Sequence, residues 1–359
     1  MFITSLTLEH FRNYEQQQIS FSPHTNVIYG NNAQGKTNIL EAVYLFSHGR
    51  SHRAHSDKEL IRFGEAYANL EIDFEDSSRN YNASIRLLKN GKKSVKVNHV
   101  AVNRLSKLMN YLNVVMFSPE DLDLVKGSPG GRRRFLDAAI SQLYPGYLNS
   151  LITYHKALTQ KNSLLKMLRQ KGWKSDPTLS VWNEQLAGEA EKIMRYRRDF
   201  LTPLSQFAAE LQKEISGEVL EVRYQPSIRA EQSTEIFEVL ESHQAREIDY
   251  AAAQSGIQRD DISISVSGNA AKTYGSQGQQ RTAILSLKLA EADLIHSLKE
   301  EYPVLLLDDI MSELDLHRRL YLSEKIKNKQ VLITCTDTDL TKDSATQLFH
   351  VEEGRVCTE

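Results

Sequence analysis

The sequence is poor in cysteine and lacks a long apolar run. Its 359 residues include only two cysteines, Cys335 and Cys357, so it predicts no disulfide framework and favours a reducing compartment. No stretch approaches the roughly 20 apolar residues that span a bilayer. The first residues, MFITSLTLEHFRNYEQ, do not have the pattern of a signal peptide. We therefore expect a cytoplasmic protein without a membrane segment.

The sequence also lacks a dominant charge. It has 44 lysines and arginines against 46 aspartates and glutamates, which gives a formal net charge of -2. A chain with this balance has no overall field that attracts nucleic acid. Any binding to DNA must therefore come from local basic patches.

Strand-like segments occupy both ends of the sequence, and helical segments occupy its middle. SLTLEHF, NLEIDFED and KSVKVN alternate as strands do, whereas RRRFLDAAISQLYPGYLNSLITYHKALT shows helical spacing. Asn90-Gly91 predicts a type I′ hairpin turn with positive φ at both residues, and Pro203 predicts a kink or break in a long helix. The pattern predicts an α/β fold in which a first lobe, 1–122 and 281–359, is split by a mainly helical second lobe, 123–280.

The segment GNNAQGKT follows an apolar strand, NVIY, and precedes a helical segment. It fits G-x-x-x-x-G-K-[ST], the P-loop, whose glycines let backbone N–H groups approach phosphates. The lysine is expected to reach the β- and γ-phosphates of ATP, and the threonine hydroxyl to ligate Mg²⁺. A chance match is the alternative, and the flanking strand and helix argue against it. The predicted ATP-binding residues are Gly30, Asn31, Asn32, Ala33, Gln34, Gly35, Lys36 and Thr37.

A second motif, VLLLDD, ends in the neighbouring acids Asp308 and Asp309. Its leucines suit a buried parallel strand. Asp308 is expected to hold, through water, the Mg²⁺ ion that Thr37 ligates, and Asp309 to orient or deprotonate the attacking water. The alternative is a buried strand that ends in two acids without a catalytic role.

A third motif, SQGQ, resembles the S-G-G-Q signature of ABC-type ATPases, and SELD resembles their D-loop. The resemblance implies an ABC-type ATPase head whose second lobe carries the signature at its C-terminal edge. It also implies a homodimer on ATP, because the signature of one subunit contacts the γ-phosphate held by the other subunit. An ordinary helix start is the alternative interpretation of SQGQ. The residues concerned are Ser276, Gln277, Gly278 and Gln279 in the signature, and Ser312 and Asp315 in the D-loop.

The whole chain resembles the RecF family of bacterial recombination proteins, which is related to the heads of SMC proteins. The motifs that carry the resemblance are FRNY, PEDLDLVKGSPGGRRRFLD and LLLDDIMSELD. It implies an ATP-dependent clamp on single-stranded, gapped or junction DNA, which acts in recombinational repair and replication-fork maintenance. It also implies RecA loading with the partners RecR and RecO, and a part in the SOS response.

Some positions depart from the family pattern. Gln258 stands where a histidine is expected, and Cys335 and Thr336 follow QVLIT where ABC transporters have a switch histidine. No Q-loop glutamine is evident at residues 118–121, and Asp309 replaces the glutamate of many ABC-type ATPases, which suggests slow hydrolysis. Two alternatives stay open: the ATPase subunit of a membrane transporter, and a head that binds ATP without hydrolysing it.

Several local groups of basic residues are candidates for contact with DNA or nucleotide. Each could neutralise a phosphate without reading the base sequence. The alternative for each group is a solvated surface, and for Arg12 it is an ion pair with Glu9 or Glu15. The candidates are Arg12, Arg50, Arg53, Arg132 and Arg133, with Lys89, Lys92, Lys93 and Lys96 on the hairpin and Arg195, Arg197 and Arg198 on a helix.

Overall fold

The computed structural model describes residues 1–102, 109, 111–336 and 346–358. The chain divides into two compact units. The first comprises Met1–Leu122, Glu214–Gly217 and Arg281–Glu359, and the second comprises Asp123–Lys213 and Glu218–Gln280. The functional roles assigned to the two lobes stay predictions.

A mixed sheet in the first unit carries the P-loop and the acidic strand. Its strands, in spatial order, are β15 (Arg355–Thr358), β14 (Gln347–Glu352), β3 (Thr25–Tyr29), β13 (Val331–Cys335), β12 (Val304–Asp308) and β8 (Val114–Phe117). Only β14 and β15 run antiparallel among the described neighbours. Strands β12 and β13 are buried at every position, as parallel strands covered on both faces are. Their carboxyl ends and that of β3 therefore meet at one edge of the sheet.

An antiparallel sheet completes the strands of the first unit. In spatial order it contains β2 (Tyr14–Ser20), β1 (Phe2–Phe11), β4 (Tyr67–Glu75), β5 (Asn80–Leu88), β6 (Lys93–Val97) and β7 (Val100–Ala101). The predicted type I′ turn between β5 and β6 is wrong, because only Gly91 (φ 84°) of the pair takes a positive φ. The N–H of Leu88 donates to the carbonyl of Lys92, which leaves a three-residue loop that needs a single left-handed residue.

The helices of the first unit follow from apolar spacing and glycine ends. The helix that follows the P-loop, α1 (Lys36–His48), buries Ile39, Leu40 and Val43 in the core shared with both sheets. It ends at Gly49, whose φ of 70° gives the left-handed cap that glycine favours. The described helices of this unit are α1 (Lys36–His48), α10 (Ile310–Glu313) and α11 (Leu316–Lys325), with 3-10 turns at Asp57–Leu60 and Pro119–Leu122.

The second unit is mainly helical. It contains a sheet in the order β11 (Asn269–Ala270), β10 (Asp261–Val266) and β9 (Leu220–Gln225). The helix α9 (Gln277–Lys299) begins in this unit and ends in the first. Pro203 lies inside the long helix α5 and does not end it. The remaining helices are α2 (Asp123–Lys126), α3 (Pro129–Leu143), α4 (Pro145–Lys171), α5 (Thr178–Ser216), α6 (Ser233–Ser242), α7 (Gln244–Tyr250) and α8 (Ala271–Tyr274).

Candidate ATPase site

The P-loop forms a tight turn between β3 and α1. Gly30 (φ 140°) and Gly35 (φ 118°) take backbone conformations that side chains rarely allow, and Ala33 is left-handed at 65°. A Cβ atom on Gly30 would lie 2.4 Å from the carbonyl oxygen of Val351, so only glycine fits there. A glycine-rich turn at the positive end of a helix is the type of backbone that binds phosphate.

Lys36 folds back over this loop. Its Nζ donates to the carbonyl oxygens of Gly30 at 2.6 Å and of Asn31 at 2.8 Å. Burial lowers the pKa of Lys36, and the negative charges of Asp309 and Asp308 oppose that shift. The ammonium group is therefore held at the loop by carbonyls that phosphate oxygens can replace as partners.

Thr37 and Asp308 contact each other directly. The Thr37 hydroxyl donates to Asp308 Oδ1 at 2.8 Å, and the Thr334 hydroxyl donates to the same oxygen at 2.7 Å. The acidic strand β12 is not adjacent to β3, because β13 lies between them; Thr334 of β13 fills that gap. Sequence reasoning did not find Thr334, which carries no motif.

The side-chain oxygens of Thr37 and Asp308 suit Mg²⁺, which keeps water and phosphate ligands, better than a metal ion whose ligands all come from the protein. A hydroxyl and a carboxylate oxygen are hard ligands of the kind that Mg²⁺ prefers. Among the described residues, no group of three or more His, Cys, Asp or Glu side chains is arranged to hold a metal ion. A magnesium ion at Thr37 and Asp308 would therefore complete its shell with phosphate oxygens and water.

Asp309 has an unusual backbone. Its φ of 53° is left-handed, and it begins α10 as the N-cap residue. Its N–H donates to the Thr334 hydroxyl at 3.0 Å, whereas its carboxylate accepts no hydrogen bond from the part of the chain that the structure describes. Left-handed non-glycine residues are strained by about 1–3 kcal/mol and cluster at functional sites. The geometry leaves the carboxylate available for a water molecule.

The signature residues form the start of α9. The N–H of Ser276 donates to Gln279 Oε1 at 2.8 Å, and the Ser276 hydroxyl accepts from the N–H of Gln279 at 3.2 Å. This reciprocal pair is a capping box. Gln279 Nε2 also donates to Glu218 Oε1 at 2.6 Å. Gln277 is exposed and Gly278 is half-buried within the first turn. The exposed Ser276 hydroxyl thus lies at the positive end of a helix, where anions bind.

Two local hydrogen bonds fix the conformation of the D-loop. The Ser312 hydroxyl donates to the carbonyl of Asp309 at 2.7 Å. Asp315 is the N-cap of α11 and accepts the N–H of Arg318 at 3.0 Å. That backbone hydrogen bond lowers the pKa of Asp315. The D-loop is therefore fixed to the end of the acidic strand, one turn after Asp309.

The family model of the RecF/RecN/SMC N terminal domain matches residues 2–358. The DNA replication and repair protein RecF of Geobacillus thermodenitrificans is 43% identical over 369 residues and covers 99% of each chain. That of Agathobacter rectalis is 43% identical over 363 residues, again with 99% of each chain. The chain belongs to the RecF family. The resemblance drawn from the motifs is confirmed.

Solved RecF structures share the whole fold. The recombination mediator protein RecF-ATP in the RecFOR pathway superposes with a TM-score of 0.94 at 33% identity, over 99% of this chain and 97% of that one. An SMC head bound to the C-winged helix domain of ScpA shares the fold alone, with a TM-score of 0.59 at 16% identity over 100% of this chain and 98% of that one. The predicted ABC-type ATPase head is therefore confirmed.

The transporter alternative is not favoured by these RecF relatives. Independently of this alternative, which concerns an ATPase subunit, no helix among the described residues has the length and apolar character needed to cross a bilayer. Residues 331–336, QVLIT's β13 with Cys335 and Thr336, contain no histidine, in keeping with the departure noted from the transporter pattern.

Two predicted DNA contacts of this RecF-family chain conflict with the structure. Arg132 is only 7% exposed, and its guanidinium pairs with both carboxylate oxygens of Asp261 at 2.6 and 2.8 Å. Arg197 is 1% exposed between Asp137 and Asp260. Both arginines are structural, because a guanidinium enclosed by carboxylates has no surface left for phosphate.

Other basic candidates keep accessible surface. Arg50, Arg53 and Arg195 are exposed, and so are Lys89, Lys92 and Lys96. Lys93 pairs instead with Asp57 at 3.3 Å, Arg198 is half-buried, and Arg133 donates to the carbonyl of Asp260 at 2.7 Å.

Arg12 has a structural partner that differs from both expected ones. Its guanidinium pairs with the two carboxylate oxygens of Glu41 at 2.8 and 2.7 Å, and not with Glu9 or Glu15. Glu41 is fully buried in α1. The same turn places Asn13 and Tyr14 against the P-loop backbone, a role that the FRNY motif alone does not predict.

Proposed function

We propose that this chain is an ATP-operated DNA clamp of RecF type that acts in recombinational DNA repair and replication-fork maintenance. The observation that carries the proposal is the contact between the Thr37 hydroxyl and Asp308 Oδ1. These atoms are 2.8 Å apart, beside the P-loop over which Lys36 folds. The contact brings together the two motifs of the proposed Mg²⁺-ATP site, which lie 271 residues apart in sequence. The name and the ATP complex of the similar RecF proteins support the same activity.

In this proposal the P-loop, residues 30–37, binds the triphosphate, and Lys36 contacts the β- and γ-phosphates. Thr37 and Asp308 hold Mg²⁺, which when bound neutralises charge on the phosphate oxygens. Asp309 orients the attacking water and accepts its proton. Because aspartate is shorter than glutamate, hydrolysis is slow, and it times release rather than driving a motor.

In the proposed dimer, the signature of one copy contacts the nucleotide that the P-loop of the other copy binds. Ser276 and the N–H groups of the first turn of α9 are anion ligands, and they would contact the γ-phosphate bound to a second copy of the chain. Each of two copies then contributes a P-loop and a signature, which gives an isologous dimer. ATP holds the dimer together, and loss of the γ-phosphate releases it.

DNA would bind to the ATP-bound dimer through basic side chains that remain exposed. The remaining exposed candidates are Arg50, Arg53, Arg195, Lys89, Lys92 and Lys96. Their contacts to phosphate give affinity without sequence preference. Single-stranded, gapped or junction DNA, DNA-stimulated hydrolysis, the partners RecR and RecO, RecA loading and SOS induction enter the proposal from the family resemblance.

Mass measurement by analytical ultracentrifugation tests the proposal. Wild-type protein should be a monomer alone, a dimer with ATP and Mg²⁺, and a DNA-bound dimer when gapped duplex is added. Ser276→Arg should bind ATP with unchanged affinity and stay monomeric, because the arginine blocks the approach of a partner's phosphate. Ser297→Arg is the matched control, since Ser297 is exposed near the other end of α9, and it should dimerise.

A dimer of Ser276→Arg with ATP would show that the signature does not contact the partner's nucleotide. A phosphate-release assay with gapped duplex separates the clamp from a head that binds ATP without hydrolysing it. The clamp should release phosphate slowly and faster with DNA, whereas complete absence of release would favour the non-hydrolysing head.

A further inference from the structure

The FRNY motif forms a turn that is fixed to the helix following the P-loop. Its residues join β1 to β2, and Arg12 takes a left-handed φ of 53°. The N–H of Arg12 donates to the carbonyl of Leu60 at 2.8 Å. Its side chain binds both oxygens of the buried Glu41. The turn is thereby held rigidly against α1, so the next two side chains have defined positions.

Those two side chains bind consecutive carbonyls of the P-loop. Asn13 Nδ2 donates to the carbonyl oxygen of Gln34 at 2.7 Å, and the Tyr14 hydroxyl donates to that of Gly35 at 3.0 Å. Asn13 is itself oriented by Asn38 of α1, whose Nδ2 donates to Asn13 Oδ1 at 2.9 Å. Tyr14 is fully buried. Asn13 is half-buried, and its amide is held between Asn38 and the carbonyl of Gln34.

Holding a carbonyl also directs the next N–H group. In a planar trans peptide the C=O and the following N–H point in opposite directions. When the carbonyls of Gln34 and Gly35 point toward the FRNY turn, the N–H groups of Gly35 and Lys36 point away from it. Within the described part of the chain, neither of these N–H groups donates to a protein acceptor. These are the donors that a P-loop offers to phosphate.

Asn13 and Tyr14 pack tightly against the P-loop backbone. A Cβ atom built on Gly35 would lie 2.5 Å from Asn13 Nδ2 and 2.9 Å from the Tyr14 hydroxyl. The carbonyl of Gln34 is also within 3.3 Å of the N–H of Gly354, in the turn between β14 and β15. The peptide that follows Gln34 is thus held by two other segments of the first unit.

We propose that Asn13 and Tyr14 are positioning residues that orient the N–H groups of Gly35 and Lys36 toward the phosphates of the bound nucleotide. This inference rests on the proposed ATP site. The two side chains do not touch the nucleotide. They fix two peptide planes before the nucleotide binds, so binding does not incur the entropy cost of ordering the loop.

Two near-isosteric variants test the proposal. Tyr14→Phe removes only the hydroxyl bonded to Gly35. Asn13→Asp keeps the acceptor for Asn38 but cannot donate to Gln34. Each should weaken ATP and ADP binding about fivefold or more, because each removes one hydrogen bond that holds the loop in its binding conformation. AMP, which has no β-phosphate, should bind as to wild type. Dissociation constants from fluorescent-nucleotide competition give all three values.

Tyr67→Phe is the matched control, because its hydroxyl donates to Glu9 at 2.8 Å away from the P-loop. It should leave all nucleotide affinities unchanged. If wild type binds ATP and both variants bind ATP equally well, the positioning role is wrong. Equal weakening of ATP, ADP and AMP together with a lowered melting temperature would also overturn it, because that result indicates general loss of structure. Failure of wild type to bind ATP would instead refute the proposed ATP site.

Discussion

Two loops of this chain precede helices and offer N–H groups, yet they are built differently. The P-loop before α1 is held from outside by the FRNY turn and by the β14–β15 turn. The signature, at the start of α9, is held mainly by its own capping box, with Ser276 exposed. Both have the positive helix end that attracts anions, so this shared feature does not explain the difference.

The difference lies in how complete each loop is as a ligand site. The P-loop brings together backbone donors, a buried lysine and the Thr37–Asp308 pair, all within one unit. The signature has one hydroxyl and a helix start, and Gln279 is already engaged with Glu218. A site with so few ligands would bind free nucleotide weakly. It becomes useful when a nucleotide is presented by another surface, as the proposed dimer does.

Lys36→Ala should have the largest effect and should act on the P-loop alone. It removes the cation that we propose to pair with two phosphates, and hydrogen bonds to charged groups contribute about 1.5–3 kcal/mol each. We therefore expect ATP affinity to fall about 100-fold or more, measured by calorimetric titration. Lys58→Ala, at an exposed lysine of the same unit, should bind normally. A loss below about tenfold would mean that the P-loop is not the main nucleotide site.

Asp309→Asn should have a smaller effect on binding and a selective effect on turnover. The amide cannot accept a proton from water, and loss of a general base slows reactions by about 10²–10⁴-fold. ATP affinity should stay within a few-fold of wild type, and the dimer should remain on DNA for longer after dilution. Phosphate release and DNA dissociation rates measure both effects.

The control for this variant is Asp249→Asn, at an exposed carboxylate of α7. It should hydrolyse ATP at the wild-type rate. Unchanged phosphate release from Asp309→Asn would assign the proton-accepting role to another group.

Sequence patterns anticipated features that depend on neighbours along the chain. Helix and strand types, the P-loop turn and the acidic strand follow from local periodicity and glycine placement. Thr37 and Asp308 are expected from their motifs to share Mg²⁺, and the structure places their side chains in direct contact at one edge of the parallel sheet. The family resemblance supplied the order of motifs and the overall fold.

Burial of charge was not anticipated, because it depends on distant partners. Three arginines follow one another at residues 132–134, yet helical rotation buries Arg132 and exposes Arg134. The partner of Arg132, Asp261, lies 129 residues away. The contacts of Asn13 and Tyr14 with the P-loop, 21 residues away, were not predicted for the same reason. In the β5–β6 loop, pairing of the flanking strands decided the turn type over the preference of Asn-Gly.

The smallest predicted effect concerns Ser276 as a cap. Ser276→Ala removes the hydroxyl that accepts the N–H of Gln279, which costs about 1 kcal/mol at an N-cap. Hydrogen exchange at the first-turn amides of α9 should therefore quicken about fivefold, and Ser297→Ala at the other end of the helix should not change it.

Ser276→Asp then separates capping from phosphate contact. Aspartate is as good an N-cap as serine, so protection of the first turn should return to the wild-type level. Its negative charge would face the partner's γ-phosphate, however, and like charges repel strongly when water is excluded. ATP-dependent dimerisation should therefore fail in Ser276→Asp although the helix start is intact. Wild-type dimerisation of this variant would reduce Ser276 to a helix cap and leave the P-loop as the chain's complete contribution to nucleotide binding.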